Sequence, residues 1–183
     1  MTVKEVFELR KQGKIEEAYE AIRPMYAVHK GHYTTLCMFW TASDILKKRT
    51  KEGRVGEALK IFEALLRMLP TVDDRDHRAH TSMLYHAVML SKEAESFSML
   101  SFLERYGVEK LTEANWQGVA HQLLTRAFHE IQKQPTVDNA LRFMPLLQEA
   151  MRRTPNDKNC RQCMAVVYRI MGEDEKASLC LLS

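Results

Sequence analysis

A chain of 183 residues with 45% apolar and 28% charged side chains is large enough for one sizeable core or a short array of repeats. Seven glycines and five prolines are too few for a loop-rich all-β fold, and a formal net charge of +3 falls far short of a dedicated nucleic-acid domain, although it suits an acidic partner. The charged, amphipathic start MTVKEVFELRKQG does not read as a signal peptide, and no run approaches the ~18 apolar residues of a membrane span. The four cysteines, Cys37, Cys160, Cys163 and Cys180, are therefore expected to be reduced thiols in a cytoplasmic protein that makes no use of a membrane.

Val3, Val6 and Phe7 set a first helical period, closed by Leu9 and Arg10 and stopped by Gly13. Ile15, Ala18, Tyr19 and Ile22 set a second, which Pro24 should kink or end. Met38 to Lys51 reads as the next helix, with Gly53 as its stop. Val55 to Met68 follows, with Ala58, Leu59, Phe62, Leu65 and Leu66 on its apolar stripe and Pro70 at its end. The segment TVDDRD supplies a turn and acids suited to capping a helix start. Arg78 to Leu90 pairs with Glu93 to Tyr106, and Trp116 to Gln132 pairs with Val137 to Arg152. Lys158 to Met171 pairs with Asp174 to the chain end. The only strand-like run, Met164 to Val167, lies inside a stronger helical period, so the chain predicts an all-α fold of about ten helices in five pairs.

The pairs align on an alanine in the second helix of each: Ala18, Ala58, Ala94, Ala140 and Ala177. Five residues before these stand Gly13, Gly53, Met89, Pro135 and Gly172. The glycine lets the first helix reverse in few residues, and the alanine sits where two backbones approach most closely. A unit of this kind has an apolar face it cannot bury alone, so units stack. EGRVGEALKIFEALLRMLP, with Gly53, Ala58, Phe62, Leu65 and Pro70, resembles the second half of a tetratricopeptide repeat. MAVVYRIMGEDEKA, with Met164, Ala165, Tyr168, Gly172 and Ala177, resembles its middle, and KQGKIEEA resembles its turn. The third and fourth units depart from the pattern at Met89 and Pro135. The resemblance implies a single all-α solenoid, with units at approximately 1–34, 38–70, 75–107, 116–153 and 157–183, acting as a non-catalytic protein-binding scaffold or adaptor.

In such arrays the first helices of the pairs line a concave groove. Counting back from the alanines places Phe7, Arg10 and Lys11 there in the first unit, and Trp40, Ser43, Lys47 and Lys51 in the second. Met83 and His86 follow in the third, Thr125, His129 and Lys133 in the fourth, and Asn159, Gln162, Val166 and Arg169 in the fifth. This basic surface with apolar anchors implies a peptide partner that is acidic and partly apolar. Phe7 and Lys47 occupy the asparagine positions of the carboxylate clamp used by chaperone-binding members, so that clamp is absent. A secretion-type chaperone is a close alternative, and a nucleic-acid-binding helical repeat is an alternative of another class.

Other motifs have simpler readings. Cys160 and Cys163 form C-x-x-C at a helix start, with no second pair to complete a zinc site and no preceding strand for a redox site. The aspartates of VDDRDHRAH are suited to capping, although His77 and His80 would share a helix face. The terminus CLLS fits a prenylation pattern, yet Leu179, Leu181 and Leu182 also extend an apolar face. That strip is expected to be exposed and to support weak self-association. No cofactor, metal or catalytic set is indicated.

Overall fold

Gly13, Gly53 and Gly172 all adopt left-handed backbone, with φ of 77°, 71° and 78°. A side chain would be strained there, so these are the positions where glycine is required. Each ends a helix with the same pair of hydrogen bonds, one from its own N–H and one from the next. They run from Gly13 to Arg10 O and Lys14 to Leu9 O, from Gly53 to Thr50 O and Arg54 to Arg49 O, and from Gly172 to Arg169 O and Glu173 to Tyr168 O. The following helix then places Ala18, Ala58 or Ala177 at zero exposure, as small a side chain as a helix crossing allows.

The computed structural model describes residues 1–109 and 111–182. Ser183, the last residue of CLLS and of the fifth predicted unit, lies outside them. Among the described residues the fold is all-α, and the chain divides into two compact units, Met1–Ala94 and Glu95–Ser183. The division falls inside the third predicted helix pair.

The first unit holds α1 (Val3–Lys11), α2 (Ile15–Val28), α3 (His32–Lys51), α4 (Val55–Met68) and α5 (Arg78–Glu93). Thr2 and Glu5 cap α1 reciprocally. Val6, Ala18, Ile22 and Cys37 join α1, α2 and α3 in one apolar cluster. Helix α3 lies between α2 and α4 and is buried on more than one side. It can carry polar residues inside because Thr41 donates to Cys37 O at 2.7 Å and Thr50 to Leu46 O at 2.9 Å. On α4, Ala58, Phe62, Leu65 and Leu66 are buried; each of the larger side chains contributes about 1.5–3 kcal/mol by leaving water. Asp74, rather than the left-handed His77, caps α5, accepting from the N–H groups of Ala79 and His80 at 2.7 and 2.9 Å.

The second unit holds α6 (Met99–Arg105), α7 (Glu113–Lys133), α8 (Val137–Arg153), α9 (Lys158–Ile170) and α10 (Asp174–Leu181). Trp116, Leu123, Ala127, Ile131, Ala140, Phe143, Leu147 and Ala150 form the buried faces of α7 and α8. Thr112, Thr136 and Asp157 cap α7, α8 and α9 through their side chains. Leu179, Leu181 and Leu182 are exposed at 66%, 49% and 81%, which makes the apolar strip expected at the end of the chain.

Several boundaries differ from the sequence reading. Helix α2 continues through Pro24 to Val28, and α8 runs through Pro145. Both prolines are exposed, so water can serve the carbonyls they leave unpaired. Helix α3 begins at His32, not Met38. The second helix of the third pair is short and starts at Met99, so Ala94 is not one of its residues. Ala94 instead closes α5 in extended backbone, with φ −124° and ψ 107°. Glu130 of α7 explains the late start: its carboxylate accepts from the N–H groups of Met99 and Leu100 at 2.8 and 2.9 Å and from the Ser98 hydroxyl at 3.2 Å.

Candidate functional site

Within the first unit, α1, α3 and α5 supply the predicted binding positions. Arg10 donates to Asp44 of α3 at 2.6 Å and lies 5.8 Å over the ring of Phe7, which is half-buried against the α1–α2–α3 cluster. Lys11 is exposed and pairs with Glu8 at 2.7 Å. These two cations are thus partly neutralised within the protein. Lys47 and Lys51 are exposed one turn apart on α3, with no ion pair to a described residue. Trp40 stands edge-on to Phe39 at 5.3 Å and, with Leu36, borders a cavity of about 530 Å³ whose far side is the charged segment Asp73 to Arg78.

His86 does not reach the surface. It is 3% exposed, with Nε2 2.7 Å from the Ser43 hydroxyl. Burial first, and Lys47 second, press its pKa down from 6.5 to about 4. A hydroxyl beside an imidazole is half of a nucleophilic pair. Here the hydroxyl is buried, and no carboxylate meets Nδ1 to orient the ring.

The second unit contains a cavity of about 580 Å³ between α7 and α9. Four predicted groove positions, Thr125, His129, Asn159 and Gln162, line it. So do several residues the sequence reading did not assign to the groove: Trp116, Gln117, His121, Leu124, Phe128 and Cys163. Positions 117, 121, 124, 125, 128 and 132 recur every three or four residues, so extending the α7 period beyond its predicted groove positions would have found them. Lys133 and Arg169 are exposed on the same two helices but do not border the cavity. The floor is apolar and the rim carries amides and imidazoles. Asp157 is engaged at the start of α9, where it accepts from Cys160 N–H at 2.8 Å. Such a lining suits a largely uncharged side chain with a peptide backbone beside it.

Among the described residues, no group of three or more histidines, cysteines and carboxylates is placed to hold a metal ion. Nor is any helix among them long and apolar enough to cross a membrane. Cys160 is buried with Sγ 3.9 Å from Leu147 O, and burial raises the pKa of both Cys160 and Cys163 to about 11. No protein-family model, curated protein or solved structure matches the chain.

Proposed function

We propose that this chain is a tetratricopeptide-like helical-repeat protein that binds a peptide segment of a partner protein as a non-catalytic scaffold or adaptor. The observation that carries the reading is the α7–α9 cavity, because four of its lining residues, Thr125, His129, Asn159 and Gln162, stand at positions that the repeat resemblance implies are groove-facing. The three equivalent glycine turns and the zero-exposure alanines after them support the repeat assignment. In this reading the cavity takes an apolar side chain of the partner. In the first unit, taken by itself, Lys47 and Lys51 are the cations left to meet acidic residues of a partner, since Arg10 and Lys11 already have carboxylates beside them.

A peptide selected from a random displayed library and measured by fluorescence anisotropy tests the reading. Leu124→Lys should abolish binding at the second unit's cavity by charging it, and, as a separate test of the first unit, Lys47→Glu with Lys51→Glu should weaken an acidic peptide held there at least about tenfold. Unchanged affinity in both folded variants would end the proposal. A steep loss of affinity for oligonucleotides with added salt would favour the nucleic-acid alternative instead.

A further inference from the structure

The seam between α3 and α5 in the first unit is closed by three polar side chains. Ser43 Oγ is 2.7 Å from His86 Nε2 and 3.3 Å from Ser82 Oγ. Along α5 the ring is flanked by the buried residues Met83, Ala87 and Leu90. The other ring nitrogen, Nδ1, is buried and has no hydrogen-bond partner.

A neutral imidazole tolerates this arrangement. With its proton on Nε2, it donates to Ser43 and leaves Nδ1 as a bare acceptor. A charged imidazole does not, because both nitrogens then carry a proton and Nδ1–H would be buried with nothing to receive it. The surrounding charges do not relieve this. Lys47 of α3 opposes a second cation, while Asp44 of α3 favours one but is bound to Arg10 of α1 at 2.6 Å. On α5, Tyr85 offers only a ring at 6.1 Å. The charged residues of α4, Glu57, Lys60, Glu63 and Arg67, are all exposed.

We propose that Ser43 and His86 form an acid-sensitive latch, in which a proton added to His86 opens the α3–α5 seam and its loss closes the seam again. The direction follows from the two protonation equilibria. Above pH 6.5 the ring is neutral whether the seam is shut or open, and pH has no effect. Between 6.5 and about 4 the open seam takes a proton that the shut one refuses, so stability falls with pH. Below about 4 both forms carry the proton and the loss levels off. At about pH 5 the opening constant is about 30-fold above its neutral value.

Hydrogen exchange of the full chain tests this, with amide rates in α5 corrected for intrinsic exchange at each pH. Going from about pH 7.5 to about pH 5, opening should rise about 30-fold in the wild type and change little in His86→Gln, which keeps a donor for Ser43 but does not titrate. The ring titration of His86, followed by NMR in the wild-type protein, should have its midpoint near 4. Equal loss of protection in the two proteins would overturn the latch, as would a His86 midpoint at its ordinary value near 6.5. Should the variant fail to fold, the ring titration decides alone.

Discussion

Gly13 and Gly53 leave their helices along one path, at φ 77° and 71°, and a Cβ at either would meet no atom within 4 Å. Space is therefore not what demands glycine; backbone conformation is. Gly53→Ala should cost about 1–2 kcal/mol, the strain of an L-residue in left-handed backbone. Gly118 also has open space around it but lies inside α7. Gly118→Ala should instead raise stability by about 0.5–1 kcal/mol. Urea unfolding of the pair checks the opposite signs.

Ala58 is fully buried in α4, whereas Lys60 on the same helix is exposed. Ala58→Glu should lower stability by about 3 kcal/mol or more, because it both overpacks the site and buries a charge. Lys60→Glu should stay within about 0.5 kcal/mol of wild type. Similar melting temperatures for the two variants would contradict the placement of Ala58 at a helix crossing.

Glu149 on α8 accepts from Arg152 and Arg153, and its pKa is lowered from 4.5 to about 2, chiefly by Arg152. Because the folded value is depressed, this contribution is complete above pH 4.5 and is lost as pH falls toward 2. Arg152 is open to water, so Glu149→Gln should cost only about 1 kcal/mol at neutral pH. The difference from wild type should shrink in acid-unfolding curves toward pH 2. Arg153 is 6% exposed, donates to Leu111 O at 2.9 Å and lies 5.1 Å over Trp116. Arg153→Met should therefore cost more, about 2–3 kcal/mol, by leaving a buried carbonyl unpaired.

The C-x-x-C thiols should be slow nucleophiles. With pKa values raised from 9.0 to about 11, their thiolate fraction at mildly alkaline pH is about 100-fold below that of an unshifted thiol. Timed iodoacetamide alkylation read by mass spectrometry should therefore find Cys163 lagging far behind a free cysteine. Rapid labelling of Cys163 in the folded protein would show that the thiol is more open and more acidic than this placement allows.

Features encoded within a few residues of each other were legible in the sequence. The left-handed glycines, the buried alanines at 18, 58, 140 and 177, and the stripe on α4 could all be read from spacing alone. Features that depend on a distant partner were not. Helix α6 has a local cap in Ser98, which accepts from the Ser101 N–H, but its first turn is also held by the carboxylate of Glu130, 31 residues on from Met99, and nothing near Met99 records that partner. The same holds at the candidate site. The resemblance to tetratricopeptide repeats implied groove-facing positions for Arg10, Lys47 and His86, but only the fold commits Arg10 to Asp44 and sinks His86 beneath the surface.

Arg49 draws on acids from three successive segments: Glu16 in α2, Glu52 at the end of α3 and Glu57 in α4, at 2.7, 3.3 and 3.2 Å. Lys48 reaches Glu16 as well, at 3.0 Å. Any one helix that peels away strips counter-ions from the others, so the node penalises piecemeal departure. Its main consequence is cooperativity: α2, α3 and α4 should melt as one block in dilute buffer. Added salt screens the node and lets the same helices come apart in sequence, so ionic strength sets how coarse or fine the unravelling is.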